Sequence, residues 1–404
     1  MTSAETAARL RVLLARAGVT LAVLFAGLAT VVVERLPGHF EIRMLTPAWM
    51  PQQIARLVEF ANDVQVALIA DRGRGEHEVV ALVLIREHTL EDLPYLSPID
   101  RGLLARIVEG LDALDARVIG LDIVLDQPTE PAKDERLLLV LSGARAAIVL
   151  GGIDERVALG ERRRRWQSGF LERSGRPAGY FNLRYDAQEA SGNPIIRYRA
   201  GAAPGSALAR SFAETVAEAA GASGAPGSRR IAWLGAPYEG GETFLRIEAD
   251  AVLAAADDPQ GVLARALRAQ LAGKVVLVGA DLPDRDRHPT PLTLFEEAGM
   301  AGVEVHAHIL AQILDGRRLD DLGPPWRASL MAGSALAGFL IGWFAHGRRW
   351  LVTALASLGL AALAGVTGVL LWQMRAIVPI AGVAALFLSG LVAARLIRRA
   401  VGPI

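Results

Sequence analysis

From residue 328 to residue 394 the chain is almost entirely apolar or small, interrupted only at HGRR (346–349) and around Arg375. An apolar run of that length belongs in a bilayer. Its interruptions decide how the run is divided. An arginine at the centre of a membrane helix costs about 2.5 to 3.5 kcal/mol on insertion scales, so the adjacent Arg348 and Arg349 mark a connection and not the middle of a span. The block therefore divides into three apolar helices of near-membrane length, expected over residues 327–346, 350–373 and 376–394. Trp326, Trp343, Trp350 and Trp372 fall near the ends of these segments, at the level where amphipathic rings settle. The water-soluble alternative is a buried hairpin of core helices.

A fourth apolar segment stands near the start. AGVTLAVLFAGLATVVV (17–33) carries no charge and follows Arg9, Arg11 and Arg16. It reads as an uncleaved anchor over 17–35 behind a tail of residues 1–16. A cleaved signal peptide is the other reading, against which no A-x-A site follows. The short flanks set the orientation. Arginines crowd before the first segment, between the second and third, and after the fourth (Arg395, Arg398 and Arg399 in residues 395–404), whereas the remaining short connection holds only Arg375. A multi-pass protein of the cell membrane with both termini cytoplasmic follows, with residues 36–326 outside.

Charge and composition narrow the partners. With 43 basic and 43 acidic side chains there is no electrostatic case for nucleic acid. The apolar fraction of 52% and the mean hydropathy of +0.32 suit a chain that lies partly in lipid. The absence of cysteine removes thiol nucleophiles, thiolate metal sites and disulfides.

The outer segment alternates strand and helix. EVVALVLIR (78–86) is a continuous apolar run of strand length, as a sheet covered on both faces requires. SPIDRGLLARIVEGLDALDAR then reads as a helix with Ser97 as N-cap and Pro98 in its first position. A strand (118–125), a helix near 133–142 and a strand (146–152) follow. This β-α-β-α-β order predicts an α/β domain with a mainly parallel sheet covered by helices. Residues 162–205 read as a hairpin excursion at a sheet edge, with ERRRRW (161–166) as a solvated loop. Alternation resumes with a helix (207–221), RIAWLGAP, TFLRIEAD, a helix over about 259–271, the strand KVVLVGA, the loop GADLPDRDRHPTPL and the helix GVEVHAHILAQILDG.

Six residues stand out as candidate ligand-binding positions: Arg101, Asp122, Asp134, Asp286, His288 and His306. Asp122 sits near the C-terminal end of a parallel strand, where crevices form in open α/β sheets, and also suits a structural cap. Asp134 opens a helix, where the dipole favours an acid whatever its role. Arg101, in the first turn of its helix, gains nothing from that dipole and is a candidate partner for Asp122 or for an anion. Asp286 and His288, two apart before Pro289, can point the same way; a structural loop, a signal-ligand pocket and a metal pair are all compatible with that spacing. His306 and His308 fall on different helix faces, His306 aligning with the apolar stripe of Leu310 and Ile313 as a core histidine does, while Glu304 and His308 are spaced to chelate. No P-loop, GxSxG or HExxH pattern occurs.

In order, SPIDRGLLARIVEGL, ARVIGLDIVLDQPTEPAKDERL, GKVVLVGADLPDRDRHPTPL and GVEVHAHILAQILDG, followed by three membrane segments, resemble the CHASE2 family of extracytoplasmic sensory domains. The family often carries an acidic residue after the first strand, where this chain has Arg86 in IREHTL. The resemblance implies a membrane-anchored sensor. In the family such an input commonly feeds a cyclase, kinase or diguanylate-cyclase-like output, and this sequence stops at Ile404 without one. The expectation is therefore a non-enzymatic input module without cofactor or resident metal, embedded in the lipid bilayer. It would take an unidentified external ligand and pass the signal to a separate membrane or cytoplasmic output protein. The alternative is an extracytoplasmic hydrolase in which Asp122, Asp286 and His288 hold a divalent ion that activates water. The motifs SALAG (334–338) and GVTGV (365–369) offer small residues for close helix contact.

Overall fold

The computed structural model describes residues 50–73, 75–185, 195–222, 228–282, 286–294, 299–345 and 348–401. The expected N-terminal tail and anchor (1–35) lie outside them. The described residues form two compact units, one of residues 70–319 and one of residues 50–69 with 320–401. In chain order the helices are α1 (Met50–Ile69), α2 (Glu87–Leu90), α3 (Arg101–Ala113), α4 (Pro131–Gly143), α5 (Glu161–Ser174) and α6 (Phe212–Ala219). They continue with α7 (Ala249–Asp257), α8 (Val262–Leu271), α9 (Gly302–Leu314), α10 (Pro324–Phe344), α11 (Arg349–Met374) and α12 (Ile380–Val401). The main sheet is built from β1 (Val80–Ile85), β2 (Val118–Asp122), β3 (Ala147–Gly152), β4 (Ala178–Tyr180), β5 (Leu245–Glu248) and β6 (Val275–Ala280).

The first unit is the α/β domain that the alternation predicts. Its six strands lie in the order β4-β3-β2-β6-β1-β5, every pairing parallel. The continuous apolar runs exist because both faces are covered. All six residues of β1 are buried, so successive side chains feed opposite layers. Ala81, Val83 and Ile85, with Ile119, Leu121, Val276 and Val278, join a core shared with α3, α4, α7 and α8. On the other face Gly120 has no room for a side chain, because a Cβ would meet Phe212 and Val216 of α6. Burial of each such Val, Leu or Ile contributes roughly 1.5 to 3 kcal/mol.

Three local expectations need correction. Helix α3 begins at Arg101 and not near Ser97, because the Asp100 carboxylate accepts the Leu103 N–H at 3.0 Å and so caps the helix. The ERRRRW run is not a loop: it opens α5, which buries Gln167, Phe170 and Ser174, packs Trp166 and Leu171 against the core and stops at the left-handed Gly175. So polar a helix carries almost no periodic apolar signal. RIAWLGAP contributes only Leu234–Gly235, paired with Asp71–Arg72 apart from the main sheet. The expected hairpin is present as Arg184–Tyr185 against Ile196–Tyr198, while β4 joins the parallel sheet at its edge.

The second unit holds three helices long and apolar enough to cross a membrane, at Pro324–Phe344, Arg349–Met374 and Ile380–Arg399. Helices α10 and α12 touch backbone to backbone. A Cβ on Gly338 would run into the Phe387 carbonyl, and one on Gly342 into that of Leu391, so glycine is what permits the approach. Of the two small-residue motifs, SALAG is used in this way, whereas Gly365 and Gly368 of GVTGV have nothing within 4 Å. The contacts advance together along both helices, Met331 against Gly382, Gly338 against Phe387 and Gly342 against Leu391. Helices α10 and α12 therefore run parallel. The last helix starts at Ile380 and not at residue 376, because Ala376–Ile377 form a short parallel pairing with Asp320–Asp321.

Helix α1 belongs to this second unit, and no element was expected there. The Gln65 side chain reads the backbone of Val378 twice, donating Nε2–H to its carbonyl at 2.8 Å and accepting its N–H at 3.2 Å. Arg375, in left-handed conformation at φ 49°, donates to the Ile69 carbonyl at 2.8 Å. A cation there also complements the negative end of α1.

Candidate functional site

An all-parallel sheet delivers the C-terminal ends of its strands to one edge, and where strand order reverses the connections diverge and leave a crevice. Here the chain passes from β1 to β2, continues outward to β3 and β4, and later returns through β5 to place β6 between β1 and β2. The loops after β2, β6 and β1 thus meet at the switch point.

Asp122 ends β2 opposite Gly279 of β6. Gly279 lacks a side chain where α9 comes down on the sheet: a Cβ there would lie 2.5 Å from Val303 Cβ. One turn further along α9 the same face presents His306, whose Nε2 lies 4.0 Å from Asp122 Oδ1. That nitrogen is also 3.1 Å from the Phe181 carbonyl, which can only accept, so Nε2 carries the proton. The other nitrogen, Nδ1, is buried without a hydrogen-bond partner among the described residues. The ring packs edge-on to Phe212 with centroids 5.6 Å apart.

Two further residues complete the group. Asp286, left-handed at φ 56°, lays its carboxylate against Gly302 in the first turn of α9, where a Cβ would lie 2.8 Å from Oδ2. The helix dipole favours a negative charge there. Its Oδ1 is 2.8 Å from His288 Nε2. The electrostatics follow from burial. Burial, then the neighbouring Asp286 carboxylate, holds the Asp122 carboxyl well above its ordinary range. Burial drives the His306 imidazole down to about 4, opposed by its bond to the Phe181 carbonyl. At neutral pH His306 is thus an uncharged base, and the Asp122 carboxyl beside it keeps its proton to higher pH than a free carboxyl does. When protonated the carboxyl can donate a hydrogen bond, and Nδ1 can accept one.

The six expected residues therefore fall into two groups. Asp122, His306, Asp286 and His288 gather at the switch point. Arg101 and Asp134 do not join them. Arg101, 1% exposed, pairs with Asp134 at 3.7 Å and donates to the carbonyls of Ile99 and Gln127. Asp134 accepts from Thr129 N at 3.0 Å and Thr129 Oγ1 at 2.9 Å. The expected pairing of Arg101 with Asp122 is thus replaced by one with Asp134, which fastens the start of α3 to the loop entering α4. Beside it Lys133 bonds Asp100 at 2.5 Å and Glu130 at 3.1 Å. The phenol of Tyr95, 2.6 Å from Glu130, is pushed up to about 12, first by burial.

Nor do Glu304 and His308 chelate together. Glu304 pairs with Arg246 at 2.5 Å, while His308 Nδ1 accepts the Leu234 N–H at 3.2 Å between the rings of Trp233 and Phe244. Asp122, Asp286 and His288 are not among the described groups whose ligand atoms come within 4.8 Å of one another. The ion expected by the hydrolase alternative finds no assembled site at those three residues.

Sequence reasoning missed the pairing that accommodates Arg86. Its guanidinium lies 3.1 Å from Asp281, just after β6, and 3.5 Å from Glu248, at the end of β5. Asp281 also pairs with Arg287. Each of these residues follows or ends a strand, and that position was the signal available.

A family profile described as the CHASE2 domain matches residues 42–347, and the chain belongs to that family. The match runs through the α/β unit and through α10, the first candidate span. CHASE2 is an extracytoplasmic sensory domain, so this is a membrane protein with an extracytoplasmic sensor domain and C-terminal spans. No curated protein and no solved structure matches the chain.

Proposed function

From membership of a sensory family we propose that this protein is a four-pass membrane sensor, both termini cytoplasmic. A polar ligand enters the switch-point crevice, and the resulting change passes through the spans to a separate membrane or membrane-associated reader. The observation that carries the reading is a single CHASE2 match that includes both the sheet and the first candidate span. Two features of the helix unit support the topology. The parallel run of α10 and α12 is what alternating passes require, and the pairing of Asp320–Asp321 with Ala376–Ile377 keeps the entry to α10 and the α11–α12 connection on one side. The arginine bias assigns that side to the exterior.

In the crevice, Asp122 offers a proton and His306 Nδ1 a lone pair, which suits a small neutral or weakly acidic ligand carrying both an acceptor and a donor. Such a ligand moves the protein between two conformations only by its difference in affinity for them, typically about 1 to 3 kcal/mol. The test is photo-crosslinking in native membranes from a probe at Arg348, between α10 and α11. A discrete protein adduct whose yield changes in Asp122→Asn is expected. Adducts to lipid alone would contradict the reading.

A further inference from the structure

Outside the switch-point crevice, the ends of β1 and β5 bring a second set of side chains together. The two strands are adjacent and parallel, with Leu84 opposite Glu248. Glu248 ends β5, Asp250 follows in the first turn of α7, and His88 stands on α2 just beyond β1. His88 Nε2 lies 2.9 Å from Asp250 Oδ2 and 3.4 Å from Glu248 Oε2, and the three ligand atoms lie within 4.8 Å of one another. Ligands bound at about 2.0 to 2.2 Å in tetrahedral or octahedral shells stand roughly 3 to 3.5 Å apart. The separations of 2.9 and 3.4 Å fall near that range.

We propose that His88, Glu248 and Asp250 form a binding site for a divalent transition cation of the Zn²⁺ class. The donor set is one borderline imidazole nitrogen and two hard carboxylate oxygens, whose two charges match those of the ion. The surroundings hold the donors in place. Thr89 Oγ1 donates to Asp250 Oδ2 at 2.8 Å. Arg86 lies beside Glu248 Oε1 at 3.5 Å, leaving Oε2 turned toward His88. Such outer partners fix the orientation of ligating groups. Fully buried Leu90 anchors α2, the turn that carries His88. All three side chains are about half exposed, so water completes the shell and the ion exchanges with solvent. Arg86 also reaches Asp281, which places the site one ion pair away from the loop after β6.

The test uses the untagged full-length protein in phosphatidylcholine nanodiscs, with Zn²⁺ titrated against a chromophoric chelator and Ca²⁺ titrated in parallel. One Zn²⁺ per chain is expected, held more tightly than Ca²⁺. His88→Ala and Asp250→Asn should each weaken binding by more than about 100-fold and Thr89→Val by about 10-fold. Because the site is exposed, melting temperatures without metal should stay near that of the parent chain, and His88→Gln serves as the second variant if His88→Ala melts early. Binding no stronger than that of empty discs overturns the proposal. So does binding that survives His88→Ala or is lost instead in His288→Ala, and so does tighter binding of Ca²⁺ than of Zn²⁺.

Discussion

The α/β unit and the helix unit are both rich in apolar residues, yet they use them in opposite ways. In the sheet every side chain of β1 is buried, and glycine appears where a helix presses in, at Gly120 and Gly279. In α11 the only buried residues are Val352, Thr367 and Leu371, while Leu358, Val366, Val369 and Trp372 are exposed. Water makes the first arrangement cohere by rejecting apolar surface. The second has no such drive in lipid, so its cohesion comes from backbone contact at Gly338 and Gly342 and from polar clamps such as Gln65 on Val378. Exposed apolar surface is a liability in one unit and a solvent match in the other.

The contrast breaks most visibly at a core leucine. Leu277→Ala, in the middle of β6, should destabilise the protein by about 2 to 5 kcal/mol, as large-to-small core changes do. Leu358→Ala on α11 should cost less than about 0.5 kcal/mol. Equal losses, measured by denaturant titration of the full-length chain in nanodiscs, would mean that α11 is buried in protein.

A smaller but distinctive effect concerns the buried imidazole of His306. His306 is held at about 4 against an ordinary 6.5. The unfolded chain therefore takes up the proton first as pH falls, and stability drops between pH 6.5 and 4. Relative to His306→Asn, the parent chain should lose about 3 kcal/mol over that window. Asp122, raised by burial, works in the other direction, favouring the fold as pH falls, so the comparison is best repeated in Asp122→Asn. A parallel pH response of parent and His306→Asn chains would contradict the buried neutral imidazole.

Next in size is glycine contact in the helix unit. Gly338→Leu forces α10 off the Phe387 carbonyl and should cost about 1 to 3 kcal/mol, whereas Gly365→Leu, which meets nothing, should be neutral. Proteolysis of the nanodisc-bound chain compares them, and similar cleavage of the two variants would count against the contact. Smallest is the clamp. Gln65→Ala leaves the Val378 N–H and carbonyl without side-chain partners, for a loss of about 1 to 2 kcal/mol. Faster amide exchange around Val378, with the sheet unchanged, would report it.

Legibility followed the same divide. Strands such as VVLVGA and the three apolar helices were plain in the sequence because burial on both faces and burial in lipid each leave an uninterrupted apolar run. Helix α5 was misread because four successive arginines open it and the residues it turns inward, Trp166, Gln167, Phe170, Leu171 and Ser174, are too few and too mixed to give an apolar period. Helix α1 was missed because nothing local marks it as a partner of residues far along the chain. At the site, position told more than residue type. Asp122 was found from its place at a strand end, whereas the place of His306 in the apolar stripe of its helix pointed first to a core histidine. The partner of Arg101 could not be found, because Asp134 and Asp122 are equally acidic on paper and only the fold chooses between them. Arg86 stood out as a departure from the family pattern, and its accommodation by Asp281 and Glu248 needed the strand order β6-β1-β5.

The central claim is a sensor held outside the membrane on alternating spans, and thiol labelling of right-side-out membrane vesicles tests it most directly. The chain has no cysteine of its own, so single substitutions report without background. A cysteine in Leu139→Cys, on the exposed face of α4, should react with a membrane-impermeant maleimide in sealed vesicles, whereas one in Gly347→Cys, between α10 and α11, should react only after the vesicles are opened. Labelling of Gly347→Cys in sealed vesicles, or protection of Leu139→Cys, would contradict the account.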